Sequence, residues 1–327
     1  MSAEDLPRIS VVVPTYRRPD LLERCLGALL RQTLPAQEYE IIVCDDGPSD
    51  AARDVVRRMT PAADGPAVHY LPVTGTQGPA GARNAGWRHA RAPLIAFTDD
   101  DTVPDAAWLA EGLAAFTPGV DALSGRIVMP LPPNPTDYEL DASRLQDAEF
   151  ATANVFVRRQ ALETVGGFDP RFQLAWREDS DLHFSLLEHG MRIVKAPRAI
   201  VVHPVRPASF GAGLSMQRKI VYDTLLYKKH PRLYRERIRP HPPWFYLSVT
   251  ALLMAALAAF AAGQTTAGAI AGAAWLAATL WFCARRLKGT RRSLDHIAEM
   301  VMTSAAIPPA SIFWRVVGSL RYRAGFP

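Results

Sequence analysis

Between Arg239 and Arg285 the chain carries no Asp, Glu, Lys or Arg. Trp244 to Ala262 is apolar or small throughout, as is Thr265 to Ala284, with Gly263 and Gln264 between the two runs. A helix of about 20 residues, rising 1.5 Å per residue, covers the roughly 30 Å hydrocarbon core of a bilayer, so each run is long enough to cross one. Two helices buried in a soluble bundle would be the other solution, but soluble helices rarely lose all charge over such a length. The pattern predicts a transmembrane hairpin over residues 243–285.

The flanks orient that hairpin. Lys228, Lys229, Arg232, Arg235, Arg237 and Arg239 precede the first run; Arg285, Arg286, Lys288, Arg291 and Arg292 follow the second, and the turn is uncharged. Positive charge collects on the cytoplasmic side, which predicts a multi-pass protein of the cytoplasmic membrane with its front domain and both termini in the cytoplasm. The same collar is suited to anionic lipids. Trp244, Phe245 and Tyr246 at one end, and Trp281 and Phe282 at the other, sit where an aromatic belt belongs. Ile312 to Leu320 is apolar but short, with Trp314 and Arg315 inside it and Arg321 and Arg323 after it. It reads as an interfacial amphipathic helix, or as a helix packed on the rest of the protein. The resulting division is a domain at 1–215, a basic juxtamembrane segment at 216–242, two spans at 243–285 and a basic interfacial segment at 286–327.

Charge is split between the ends. Residues 217–327 hold 16 basic and 4 acidic side chains, whereas residues 1–216 hold 21 and 28. An acidic front and a basic back exclude a uniformly basic nucleic-acid binder, and no nucleic-acid partner is expected. Cys25, Cys44 and Cys283 are odd in number and far apart, which argues against a disulfide framework and a zinc site. At the N-terminus, Glu4 and Asp5 and the shortness of the run Ile9 to Val13 argue against a secretory signal.

The front 205 residues alternate strand-like and helix-like stretches. Apolar, β-branched runs at 9–13, 40–44, 68–71 and 93–97 read as strands. Between them, 20–31, 49–59 and 80–90 read as helices, with Asp20 as an N-cap of the first. This is an α/β pattern with a mainly parallel sheet, and in such sheets ligands bind beyond the carboxyl ends of the strands. The polar clusters fall there. Asp99-Asp100-Asp101 comes directly off the fourth strand, and three adjacent carboxylates repel one another unless a counter-charge is supplied. A hard divalent cation with oxygen ligands supplies one; on an extended segment Asp99 and Asp101 would point the same way. A solvated acidic turn is the alternative.

That cluster is one of a series in fixed order. Pro14-Thr15-Tyr16-Arg17, Asp45-Asp46-Gly47, Gly78-Pro79-Ala80-Gly81-Ala82-Arg83-Asn84, the acidic triplet, Gly166-Gly167-Phe168-Asp169 and Arg177-Glu178-Asp179-Ser180-Asp181-Leu182 follow one another along the chain. In these six motifs, over about residues 9 to 205, the sequence resembles the family 2 glycosyltransferases, which have the Rossmann-like fold called GT-A.

The resemblance implies an inverting enzyme that uses a nucleotide-sugar donor. Pro14, Thr15, Tyr16 and Asp46 would line the nucleoside pocket, Tyr16 beside the base and Asp46 accepting from its N–H. Arg83 would face the donor diphosphate, and Arg17, Asn84 and Asp100 would lie on the donor side. Asp99 and Asp101 would be the DxD pair holding Mg2+ or Mn2+, with His203 completing the metal shell. Asp179 would be the catalytic base and Glu178 beside it an orienting group, with Asp181 opening a helix that runs to His189. Gly166, Gly167 and Trp176 would form the acceptor loop. The Gln-x-x-Arg-Trp motif of processive synthases is missing, and Gln217-Arg218-Lys219 has no Trp, which implies transfer of one sugar per encounter. Pro48 interrupts the usual Asp-Asp-Gly-Ser ending of the second strand. Together with the hairpin, these features point to a lipid-linked or envelope-glycan acceptor. Two other readings stand beside this one: an enzyme that charges polyprenyl phosphate, whose anionic acceptor needs no base, and a silent nucleotide-binding membrane adaptor.

Overall fold

The computed structural model describes residues 6–62 and 64–327; Glu4 and Asp5, used above against a secretory signal, lie outside the described residues. The chain forms two compact units, residues 1–130 with 144–205, and residues 131–143 with 206–327. The sequence placed the boundary at 215 and kept 131–143 in the front domain.

The first unit is built on an eight-stranded sheet. β1 (Ile9–Thr15), β2 (Tyr39–Asp45), β3 (Ala67–Pro72) and β4 (Leu94–Phe97) are parallel, in the spatial order β3-β2-β1-β4. Beyond β4 the sheet is mixed. β5 (Val103–Pro104), β6 (Ala122–Val128), β7 (Val155–Arg158) and β8 (Ile193–Val202) complete it, β7 antiparallel to both β4 and β6, β8 parallel to β6, and β5 antiparallel to β8. β1 and β2 are almost wholly buried, as expected of central parallel strands covered on both faces. Val11, Val13, Ile41 and Val43 pack against Leu22, Leu26 and Leu29 of α1 (Pro19–Leu29), while Val12, Ile42 and Cys44 pack against Ala82 and Trp87 of α3 (Pro79–His89) on the other face.

Helix starts follow local chemistry. In α1, Pro19 takes the first helical position, where its fixed φ and missing N–H cost nothing; Asp20, expected as the N-cap, lies in the first turn instead. α2 (Asp50–Met59) is capped by Ser49, whose Oγ accepts from the Ala52 N–H at 3.3 Å. The unit also contains α4 (Trp108–Ala115), and α6 (Arg159–Val165) follows α5 (Asp137–Ser143) of the second unit. α7 (Glu178–Glu188) starts three residues earlier than the sequence indicated, because Arg177, in the left-handed region at φ +74°, turns the chain into it. α3 lies close on the sheet. A Cβ at Gly86 would come within 2.4 Å of Val12 Cγ1 and 2.6 Å of Cys44 Sγ.

The second unit is helical: α5, α8 (Ala212–Ser215), α9 (Val221–Lys229), α10 (Pro231–Arg237), α11 (Trp244–Ala261), α12 (Thr265–Arg286) and α13 (Leu294–Tyr322). α11 and α12 form the expected hairpin, turning at Gly263 (φ +75°), with Phe245 packed on Trp281 and Phe282 at its open end. Their apolar side chains mostly face outward: Leu257, Phe260, Ile270, Leu276 and Leu280 are exposed. Such a surface fits a transmembrane region better than a soluble bundle. The C-terminal segment departs from expectation. Ile312 to Leu320 belongs to one helix of 29 residues, α13, which continues through Pro308 and Pro309, so three helices among the described residues are long and apolar enough to cross a membrane.

Gly86→Ala should destabilise the purified chain by about 1–3 kcal/mol, the usual cost of overpacking a well-filled core. Urea or thermal unfolding reads it directly, and unchanged stability would show that α3 has room to lift off the sheet.

Candidate active site

The register of the parallel strands brings the polar ends together. Thr15 pairs with Asp45 at the ends of β1 and β2, whereas β4 stops at Phe97 opposite Val12, so the residues after β4 come level with the end of β1. The acidic triplet then turns. Thr102 N–H and Oγ donate to the Asp99 carbonyl at 3.2 and 2.7 Å, closing a tight turn in place of the extended segment expected. Within it the three carboxylates diverge. Asp100 points inward, where one oxygen accepts from Thr15 Oγ1 at 2.8 Å and the other from Arg18 at 3.4 Å. Burial pushes its pKa up to about 6. It ties the turn to β1 and is not turned to a donor. Arg18, which the motifs did not single out, also lies 3.8 Å from Asp101.

Asp99, Asp101 and His203 each offer one ligand atom, all within 4.8 Å of one another. His203 follows β8 and is held by its N–H to Val128 O at 2.8 Å; its Nε2 lies 3.4 Å from Asp101 Oδ1, and its Nδ1 is buried without a partner. Two hard carboxylate oxygens and one imidazole, drawn from two separate strand ends, form a donor set that fits a divalent cation such as Mn2+.

Arg83 joins this group to the opposite side of the site. The residue is 3% exposed, and its guanidinium donates to Asp99 Oδ1 at 2.7 Å and to Glu178 Oε1 at 3.0 Å. Burial works to lower its pKa, but Asp99 and Glu178 outweigh that and raise it. The resemblance had Arg83 facing the donor diphosphate; in the structure both of its terminal nitrogens are engaged by carboxylates. Glu178 and Asp179 occupy the first turn of α7, where negative charge is favoured by the helix dipole. Glu178 is pushed up to about 7 by burial, with the neighbouring Asp179 adding to the rise and Arg83 opposing it. Its Oε2 is buried with no partner. Asp179 is also raised, chiefly by burial; its Oδ1 accepts from the Ser180 N–H at 2.6 Å.

The second-strand loop is organised by Asp45, another residue the motifs gave no role. Its carboxylate is fully buried and accepts from Tyr70 Oη and Ser49 N–H, each at 2.9 Å, and from Gly47 N–H at 3.3 Å, so the loop closes with Pro48 in place. Asp46 accepts from the Gly78 N–H through both oxygens at 2.9 Å, and burial raises its pKa. Pro14 is the penultimate residue of β1, and Tyr16 is exposed above Gly47, with Arg17 (φ +53°) stacked 5.1 Å from its ring centre. Asn84, expected on the donor side, is buried and fully used. It donates to Phe168 O at 2.7 Å and accepts from Phe168 N–H and Trp87 Nε1, each at 2.9 Å. Gly166 ends α6 in the left-handed region at φ +79°. Gly167 follows at φ +74°, with Asn84 and Trp87 where a Cβ would be. Gly167 thus lets the chain after α6 come close against α3. Trp176 is partly exposed, and Arg177 stacks on it at 4.8 Å.

Residues 10–167 match the model for glycosyl transferase family 2, and residues 94–287 match the model for glycosyl transferase family group 2, which takes in more than half of the chain. The chain belongs to the family 2 glycosyltransferases. It is a glycosyltransferase of the kind that depends on a nucleotide sugar. Glycosyltransferase AglE of Haloferax volcanii is 29% identical over 227 residues, 66% of this chain and 72% of that protein. Validoxylamine A glucosyltransferase of Streptomyces hygroscopicus subsp. jinggangensis is 32% identical over 274 residues, 71% of this chain but only 63% of that enzyme. Among solved structures, the mannosyltransferase PcManGT of Pyrobaculum calidifontis, in complex with GDP-Man and Mn2+, shares the fold with a TM-score of 0.58 at 21% identity, covering 96% of this chain and 87% of that one.

If Asn84 fastens the Phe168 loop, Asn84→Ala leaves a buried N–H and C=O unpaired and should cost on the order of 2–3 kcal/mol. A variant of unchanged stability with weakened nucleotide binding would instead return Asn84 to the donor side.

Proposed function

We propose that this glycosyltransferase moves one sugar per encounter from a nucleotide sugar to a lipid-linked or glycan acceptor at the cytoplasmic face of a membrane, inverting the anomeric centre with a divalent metal. The observation that carries the reading is the Arg83 bridge. One side chain spans from Asp99, in the metal-ligand group, to Glu178, beside the candidate base. The leaving-group side and the acceptor side of a displacement therefore lie within reach of each other. Asp99, Asp101 and His203 would hold the ion, which when bound supplies Lewis acidity against the charge on the departing nucleoside diphosphate. Mn2+ in the PcManGT complex supports that choice of ion, and the GDP-Man there supports a nucleotide-sugar donor.

The chain's own groups do the rest. Tyr16, exposed above Gly47, gives a nucleoside base a flat surface, and Asp46, fixed by Gly78, borders the same loop. Asp179 takes the proton of the acceptor hydroxyl; with Oδ1 engaged by Ser180, its second oxygen has no protein partner among the described residues. Burial raises its proton affinity, which suits a general base. A single base acting in a single displacement inverts configuration. Glu178, clamped by Arg83, holds the first turn of α7 in place. Trp176, partly exposed two residues before Glu178, offers an apolar face to an acceptor ring. The apolar hairpin α11–α12 and its basic flanks support a reaction at the cytoplasmic leaflet.

Asp179→Asn should lower kcat by about 10²–10⁴ for a hydroxyl acceptor, the usual contribution of a positioned base. Activity near that of the parent would favour a phosphate acceptor, and with it the polyprenyl-phosphate reading. Asp101→Asn should abolish Mn2+-dependent hydrolysis of nucleotide sugars; a parent chain that hydrolyses and transfers none of a donor panel in Mn2+ and membrane extract would support the adaptor reading.

A further inference from the structure

α13 is inside out. Its exposed large apolar side chains are Leu294, Val301, Met302, Phe313, Val316 and Leu320, and at about 100° per residue they share one arc of roughly 120°. The opposite arc is buried and rich in polar groups, with His296, Thr303, Ser304, Ser311 and Arg315 beside the apolar Met300 and Ile307. Those polar groups meet partners along most of the helix. Arg286, at the end of α12, donates to Thr303 Oγ1 and Ser304 Oγ at 2.7 and 3.1 Å. Arg315 lies 3.9 Å from Asp223 of α9, Gly318 packs on Thr224, and Lys228 donates to Tyr322 O at 2.7 Å. Just beyond the helix, Arg235 of α10 donates to Phe326 O.

All these partners belong to one end of the hairpin. Arg286 closes α12, and α9 and α10 lead into α11, whose start is stacked on the end of α12 through Phe245, Trp281 and Phe282. A helix that crossed the bilayer beside α12 would leave Arg286 behind and meet residues progressively nearer Gly263. α13 instead runs from Arg286 past α9 to the level of Arg235.

We propose that α13 does not cross the membrane but lies in its surface, with the Leu294–Leu320 face pressed into the acyl boundary of an anionic leaflet. The proposal rests on α11 and α12 being a membrane hairpin. Two observations select lipid as the occupant. The helix that carries the exposed face packs on both α11 and α12, whose own apolar side chains are exposed. That face is also bordered by Lys288, Arg291 and Arg292 at one end and Arg321 and Arg323 at the other, which match anionic headgroups and not a second copy of the same basic surface. The chain would then have an even number of crossings, and its last residues would share a side with Arg239.

The test uses the full chain in sealed vesicles of one orientation, with single cysteines at His241, Gln264 or Ala324 and a membrane-impermeant maleimide. The three native thiols are buried, so the parent chain gives the background, and a misfolded variant betrays itself by exposing them. Positions 241 and 324 should label from one side and 264 from the other. Labelling of 324 from the side opposite 241 overturns the proposal; labelling of 264 from the same side as 241 overturns the hairpin itself. Spin labels at Met302, Phe313 and Leu320 should report one shallow depth, with collision rates with lipid-dissolved oxygen several-fold above those in detergent-free buffer. A deep maximum at Phe313 would mean a third span, and no oxygen contact would mean that protein covers the face.

Discussion

A single buried guanidinium holds the candidate site together. Arg83 sits between Asp99 and Glu178, and without it the unit would carry carboxylates on both sides of the site with nothing between them. A buried charge of either sign is costly alone, so Arg83 and Glu178 depend on each other, and the partly buried Asp99 completes the balance. Its backbone is set by α3, which Gly86 lets settle onto β1 and β2, and its surroundings by the turn after β4. The requirement for a closely packed α3 and the requirement for a balanced set of charges are therefore met by neighbouring residues of one helix.

The acidic triplet divides its labour in a comparable way. Asp100 turns into the protein and is held by Thr15 and Arg18, while Asp99 and Asp101 are left to converge with His203. Fixing Asp100 in this way sets the geometry of the other two. The strands matter here chiefly through their lengths, since β4 ends three residues short of β1 and so delivers the triplet to the level of Thr15.

The alternation of strands and helices was legible because central parallel strands are apolar throughout and the helices between them show one apolar face. The four parallel strands and the hairpin follow from those patterns. The acidic cluster and the Glu178-Asp179 turn were legible as motifs, but what each residue touches was not. Asn84 stands in a motif with Arg83, yet its amide is spent on Phe168, a pairing that exists only because residues 84 and 168 meet in space. Arg18 and Asp45 were overlooked for the same reason, although Asp45 directly before Asp46 gave a local hint. Helix α13 was misjudged in length because Pro308 and Pro309 and the buried Arg315 break its apolar run in sequence, whereas in the structure they lie within a continuous helix whose polar side is packed.

The convergence of Asp99, Asp101 and His203 on one ion is the claim on which the chemistry rests. Electron spin echo spectroscopy of Mn2+ bound to the purified full chain tests it most directly. The account predicts coupling to one imidazole nitrogen, absent from His203→Gln. Bound Mn2+ with no nitrogen coupling, or coupling that survives that substitution, would contradict it.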